Sequence, residues 1–135
     1  MTSNTSSAGS TSRTNTIGIS GYRNLIVWIE AKNLTVLVYR LTENFPRSED
    51  FALKGQMRRA AVSVMSQIAE GWLRRSKKDK LHYLEIAEGS LLELESHGEI
   101  VKAIGYWDDD KYKEFDNQRV KATYLLYRYK TAISR

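Results

Sequence analysis

Five basic residues crowd one short stretch, Arg74, Arg75, Lys77, Lys78 and Lys80, with only Asp79 as a counter-charge among them. Side chains of this kind at this density bind phosphates, because each brings a full positive charge and several N–H donors. Ser76 and Asp79 also match the spacing of a capping box, which puts the unpaired N–H groups of a helix start beside the same cations. The spacing equally suits a solvated turn leading into a capped helix. A second basic run, Arg119, Lys121, Arg128 and Lys130, is interleaved with Tyr124, Tyr127 and Tyr129. Tyrosines between basic residues can stack on unpaired nucleobases; the other reading makes Tyr129 core and the rest the rim of a helix surface.

No other constellation points to chemistry. His82 and His97 are 15 residues apart, about four helical turns, too far to share a metal within one chain. Glu93 and His97 have the i, i+4 spacing of two metal ligands, but carboxylate bundles need a matching pair on a facing helix, and the chain has none. There is no Gly-x-Ser-x-Gly turn for a serine nucleophile, and cysteine is absent, which rules out disulfides and thiolate zinc sites. Glu70 is a lone carboxylate, suited to a structural hydrogen bond rather than a catalytic pair. Arg58 and Arg59 project about 100° apart on a helix, and pairing with Glu93 or Glu95 is the expected role for them. No catalytic residue, metal ligand or cofactor is therefore assigned.

Four helices account for the pattern that must position these residues. The first is expected from Asn24, a good N-cap residue, to about Glu43, with a seam at Val27, Ala31, Leu34, Val38, Leu41 and Phe45. Trp28, Ile29, Val36 and Tyr39 lie off that seam, so this helix has apolar surface to spare for another subunit; Trp28, Ile29 and Val36 are the candidate interface. Pro46, the only proline, breaks the chain. The second helix follows a cap at Ser48, with Glu49 and Asp50 at the positive end of its dipole, and is expected to end at Gly71. Its stripe, Leu53, Met57, Ala60, Val64 and Ile68, is widened by Ala61, Met65 and Trp72. Small residues at Ala60, Ala61, Ser63 and Ser66 keep it thin, so neighbouring backbones can approach closely. The third runs from Ser76 to about Ile104 on Leu84, Ala87, Leu91, Leu94, Gly98 and Val101, ending at Gly105. The fourth opens at Trp107–Asp110 and carries Tyr112, Phe115, Ala122, Leu126, Tyr129 and Ile133, interrupted by Arg119. With short connections and no strand-like alternation, the fold class is all-α, an antiparallel up-down four-helix bundle over residues 22–135.

Residues 1–21, rich in Ser and Thr, lack the apolar content to offset ordering entropy and are expected to be a disordered tail. The longest apolar run, Leu25–Ile29, falls far short of the roughly 18 residues a membrane span needs, and residues 1–20 have no apolar signal segment; a cytoplasmic protein without membrane partners is the expectation. The net charge is +5, from 21 basic and 16 acidic residues, and it is unevenly placed. Arg58–Lys80 holds seven basic residues against Glu70 and Asp79, Leu81–Val101 holds five acids and no lysine or arginine, and Asn117–Arg135 holds five basic residues and no acid. Such blocks can steer a polyanion, pair one subunit with another, or be solvated helix faces.

Several separated blocks together resemble one family. They are Leu25-Ile26-Val27-Trp28, Arg58-Arg59-Ala60-Ala61-Val62-Ser63, Ser66-Gln67-Ile68-Ala69-Glu70-Gly71, Arg75-Ser76-Lys77-Lys78, Tyr83-Leu84-Glu85-Ile86-Ala87, Gly89-Ser90-Leu91-Leu92-Glu93-Leu94-Glu95 and Gly105-Tyr106. Over Tyr22 to Arg128 the chain is similar to the bacterial four-helix-bundle proteins named for intervening sequences of 23S ribosomal RNA genes. More distantly it resembles the accessory variability determinant proteins of diversity-generating retroelements. The resemblance implies a homopentamer without established enzymatic activity; through the distant relatives it implies RNA or DNA and a reverse transcriptase as partners. One departure is Ser63-Val64-Met65-Ser66-Gln67, where the family often has Ser-Ile-Pro-Ser-Asn, so a kink in the second helix is not expected here. Two functions remain open: a nucleic-acid-binding accessory protein using both basic runs, or a protein-interaction scaffold whose charged faces pair subunits or a partner.

Overall fold

The computed structural model describes residues 21–135; the tail expected over residues 1–21 lies outside them except for Gly21. Four α-helices make up the described chain: α1 (Ile26–Leu41), α2 (Leu53–Leu73), α3 (Lys77–Ile104) and α4 (Asp109–Ser134). One-turn 3-10 helices at Gly21–Asn24 and Arg47–Glu49 precede α1 and α2, and no strand occurs among the described residues. Each helix packs on its neighbours in sequence, and α1 closes the ring on α4; α1 and α3 lie diagonally apart, as do α2 and α4.

The period-3.6 stripes become the core. Val27, Ala31, Leu34, Val38, Leu41 and Phe45 are all buried, as are Leu84, Ala87, Leu91, Leu94, Gly98 and Val101 along α3. On α2, Met57, Ala60, Ala61, Val64 and Ile68 are buried, with Leu53 and Met65 packed at the margin. Phe115, Ala122 and Leu126 of α4 fill the remaining side, flanked by Tyr112, Tyr129 and Ile133. Each fully buried large aliphatic or aromatic side chain contributes about 1.5–3 kcal/mol relative to exposure. The thinness of α2 is used directly: the Thr35 hydroxyl donates to the Ala61 carbonyl at 3.0 Å, and Ser90 donates to Ser63 at 2.9 Å. Only short side chains leave two helix backbones that close. No proline interrupts α2, and it runs unbroken for 21 residues.

Three helix ends follow the expected chemistry and three depart from it. Ser76 caps α3 by accepting the Asp79 N–H at 3.1 Å, Asp108 caps α4 by accepting the Lys111 N–H at 2.9 Å, and Gly105 closes α3 with φ of 83°, a left-handed conformation that glycine adopts without strain. Asn24 does not cap α1: it lies in the preceding 3-10 turn, whose Tyr22 carbonyl accepts the Leu25 N–H. Ser48 does not cap α2 either; the Glu49 carboxylate reaches forward to the Leu53 N–H at 3.2 Å. Nor does α2 stop at Gly71. It continues to Leu73 and leaves through an extended Arg74 (φ −65°, ψ 152°), which turns the corner with no left-handed residue. Gly71 is instead needed for proximity, since a Cβ there would lie 3.2 Å from the Tyr83 Cβ and 3.3 Å from the Lys80 carbonyl.

Candidate nucleic-acid interface

The bundle brings three separate segments to one end. The turn Gly21–Asn24 lies against Trp72 near the end of α2, with the Tyr22 and Trp72 rings 6.3 Å apart. Lys80 on the first turn of α3 donates to the Trp72 carbonyl at 2.8 Å, and Lys77 donates to the Arg135 carbonyl at the tip of α4 at 2.7 Å. Residues 21–28, 70–80 and 128–135 thus share an end, and those segments hold nine basic side chains against Glu70 and Asp79, one of the nine, Lys130, being paired with Glu88 of α3.

Within this end the five expected corner residues divide by what they already hold. Arg74 pairs with Glu70 one turn back and lies 5.1 Å over the Tyr83 ring, which gives Glu70 the structural role expected of it. Lys77 and Lys80 bridge backbone carbonyls of neighbouring helix ends, where the negative pole of a helix dipole attracts them. Arg75 and Lys78 are exposed and form no ion pair or side-chain hydrogen bond among the described residues. Two unspent cations therefore stand beside the first turn of α3, where leading backbone N–H groups have no partner within the helix.

The second basic run does not gather into a comparable surface. Arg119 is only 12% exposed and holds Asp116 at 2.7 Å and Glu95 at 3.3 Å. Lys121 faces Glu30 at 3.5 Å, and Lys130 holds Glu88 at 2.9 Å. Hydrogen bonds from Gln118 chiefly, with help from Asn33 and Lys121, hold the Glu30 carboxyl below its usual range, and the bond to Glu88 raises Lys130. Arg128 leans on Tyr124, an exposed side chain like Tyr127, whereas Tyr129 is half-buried, and burial raises its hydroxyl pKa. Only Asp116, three residues before Arg119 on α4, is within reach of local sequence reasoning; the other acids lie on other helices, 24 residues away for Glu95 and 88 for the Glu30–Gln118 contact.

Other expected roles fall differently. Arg58 does not meet Glu93 or Glu95. It lies on the α1 side of α2, donating to Thr42 and to the Tyr39 carbonyl at 3.0 Å each, with its guanidinium 4.4 Å over the Tyr39 ring. Glu95 is taken by Arg119, and Glu93 faces His97 at 3.8 Å; Arg59 forms no ion pair among the described residues. Of the candidate interface residues, Val36 is 60% exposed, while Trp28 and Ile29 are half-buried and Trp28 packs edge-on to Tyr22 at 5.2 Å. Sequence reasoning missed Phe51, 96% exposed ahead of α2. It belongs to no periodic stripe, and only its own exposure marks it. Among the described residues no three His, Cys, Asp or Glu side chains converge as metal ligands, and no helix is long and apolar enough to cross a membrane.

Residues 23–128 match the family described as 23S rRNA-intervening sequence protein. No curated protein matches the chain. Among solved structures it is similar to a protein of unknown function from the S23 ribosomal protein family of Bacteroides thetaiotaomicron, with a TM-score of 0.70 at 21% identity over 78% of this chain and 98% of that one. At that identity the likeness speaks for the fold.

Proposed function

The chain belongs to the 23S rRNA-intervening sequence protein family, and from that premise we propose that it acts without catalysis, as a self-associating antiparallel four-helix bundle that binds RNA or DNA backbone through its basic end. In this reading it is a cytoplasmic accessory protein, a homopentamer, with a reverse transcriptase as its protein partner. The observation that carries the reading is the convergence of three chain segments at one basic end, with Arg75 and Lys78 unpaired among the described residues beside a helix N-terminus. Lys77 and Lys80 need not break anything to add long-range attraction, since their contacts are to carbonyls and leave their charge intact. Phosphates carry no base identity, so binding through this end has little sequence preference and a steep dependence on salt. Self-association repeats the end once per subunit, and weak contacts add by avidity when one strand reaches several of them.

A protein-interaction scaffold is the second reading. The internal neutralisation of Arg119, Lys121 and Lys130 favours it, because a surface spent on its own acids has little left for a polyanion. Polarisation of labelled single- and double-stranded oligonucleotides over a salt series separates the two. Wild type binds at low salt and loses affinity steeply as salt rises, and the Arg75→Glu/Lys78→Glu variant does not bind. Absent binding by wild type, or equal binding by the variant, hands the case to the scaffold.

A further inference from the structure

Between α1 and the outer side of α2 lies a groove of about 620 Å³ lined by Tyr39, Gly55, Arg58, Arg59 and Val62. One wall is a stack of planar groups: the Arg58 guanidinium lies 4.4 Å over the Tyr39 ring, fixed there by Thr42 and the Tyr39 carbonyl. The turn that carries Phe51 borders the groove, since the Asp50 carbonyl would lie 2.8 Å from a Cβ at Gly55. Phe51 itself is 96% exposed, a ring for which the fold has no use. Most charge beside the groove is already spent. Asp50 holds Lys54 at 3.4 Å and Glu43 reaches Arg58 at 3.5 Å, whereas Arg59 is exposed and forms no ion pair among the described residues. From Phe51 to Ala69 the chain has no acid, and Glu70, the first acid after that stretch, is paired with Arg74.

We infer that this groove receives an unpaired base of a nucleic-acid strand whose phosphates are held at the basic end, so that the ligand is single-stranded. The inference rests on the binding proposed above and names its substrate class. An exposed phenylalanine and a guanidinium stacked on a tyrosine offer planar faces for a base, and a free arginine offers a cation for its phosphate. Within a duplex each base face is covered by its neighbours, so such side chains meet one only where a strand is unpaired. A groove of this volume is in the range that holds a small organic ligand, and one nucleotide belongs to that class. Reach agrees as well. Arg59 and Leu73, beside the basic corner, are about 21 Å apart along the axis of α2. At about 3.4 Å of advance per nucleotide, roughly six nucleotides join the two contacts. Stacking tolerates any base, so the weak sequence preference is kept.

Polarisation tests this on the full chain with four labelled probes: oligothymidylates of about four and about twelve nucleotides, a duplex of the longer length, and an abasic strand of that length. Phosphates alone favour the duplex, whose charge is denser. Wild type instead prefers the longer single strand over the duplex, the abasic strand and the short oligomer by about ten-fold. Phe51→Ala removes most of that preference with the salt dependence unchanged, and Phe51→Trp keeps it. Arg59→Ala lowers the slope of log affinity against log salt by about 0.7, the share of one phosphate contact on a single strand. Both positions are exposed, so the helical circular dichroism stays that of wild type. If wild type binds single strand, duplex and abasic strand alike, or if either alanine variant matches it, the groove is not a base site and binding rests on the basic end alone. If wild type binds none of the four probes at low salt, this inference and the binding reading fall together.

Discussion

The two ends of the bundle are built on opposite principles. At the basic end the charges outnumber their partners, and Arg75 and Lys78 project with none among the described residues. At the far end, where α1 leaves, α2 begins and α3 turns into α4, residues 40–54 and 99–114 hold six basic against eight acidic side chains, and aromatic rings interlock beneath them. Trp107 is the centre of that end. Its indole N–H donates to the Leu41 carbonyl, an orphan of the α1 C-terminus, at 2.7 Å, and its ring lies 5.0 Å from Phe115 and 6.0 Å from Phe45. Tyr106 donates to Glu49 at 2.8 Å and Tyr112 to Glu99 at 2.7 Å, and Gly98 passes so close to Phe115 that a Cβ there would lie 2.5 Å from the ring. One end closes the fold; the other leaves charge unspent. On the function proposed above, stability and binding would be separated along the bundle axis, so that a change to one need not disturb the other.

The sharpest break in that division would come from Trp107→Ala, the largest effect expected. Losing a buried indole and its hydrogen bond should cost about 3–5 kcal/mol, read from the urea midpoint. The Arg75→Glu/Lys78→Glu reversal at the opposite end should stay within about 0.5 kcal/mol of wild type. Comparable losses for the two variants would mean that the ends are not divided in this way. Between them, Ala61→Leu probes the thin face of α2, where Ala61 is fully buried and its carbonyl accepts the Thr35 hydroxyl. Overpacking there should cost about 1–3 kcal/mol, by forcing α1 and α2 apart along the middle of the bundle. An unchanged midpoint would show that the close approach contributes nothing.

How much of each end was legible in the sequence differs for a physical reason. Stripes such as Leu84–Ala87–Leu91–Leu94 repeat within a helix turn or two, so local periodicity exposes them, and so does the reciprocal spacing of Ser76 and Asp79. The far-end lock depends on Trp107 finding Leu41, 66 residues away, and Tyr106 finding Glu49, 57 away; no local pattern announces either. Charge pairing hides in the same way. Arg58 was expected on the α3 side of α2, and only the packed rotation of the helix turns it to Tyr39 and Thr42. Gly71 carries a glycine's permission for a left-handed cap, but close contact with Tyr83 is what uses it. The basic corner was legible as composition, whereas which of its five members stay free depends on carbonyls presented by three helix ends.

The smallest expected effect sharpens the comparison through pH. Tyr112 donates to Glu99, and that bond, with some burial, pushes its pKa from the usual 10 up to about 12; Tyr106 is raised at the same end by its bond to Glu49. A tyrosine that holds its proton more tightly folded than unfolded contributes stability fully present below about pH 10, lost as pH rises towards 12. Lys130, raised by Glu88, and Tyr129, raised by burial, lose stability at alkaline pH with the same sign. The overall alkaline fall therefore belongs to no single group, and the informative quantity is the difference between wild type and Tyr112→Phe. At pH 8 wild type should be the more stable by about 1 kcal/mol, an ordinary hydrogen bond to a charged acceptor at a wet site. Thermal melts taken from pH 8 to 12 should show the gap closing, because above about pH 10 the unfolded chain releases the Tyr112 proton that the folded chain holds up to about 12. A gap that stays constant across this range would mean that the Tyr112–Glu99 bond is not formed in solution, leaving the far end held by its packed rings and the Trp107–Leu41 bond without help from its tyrosines.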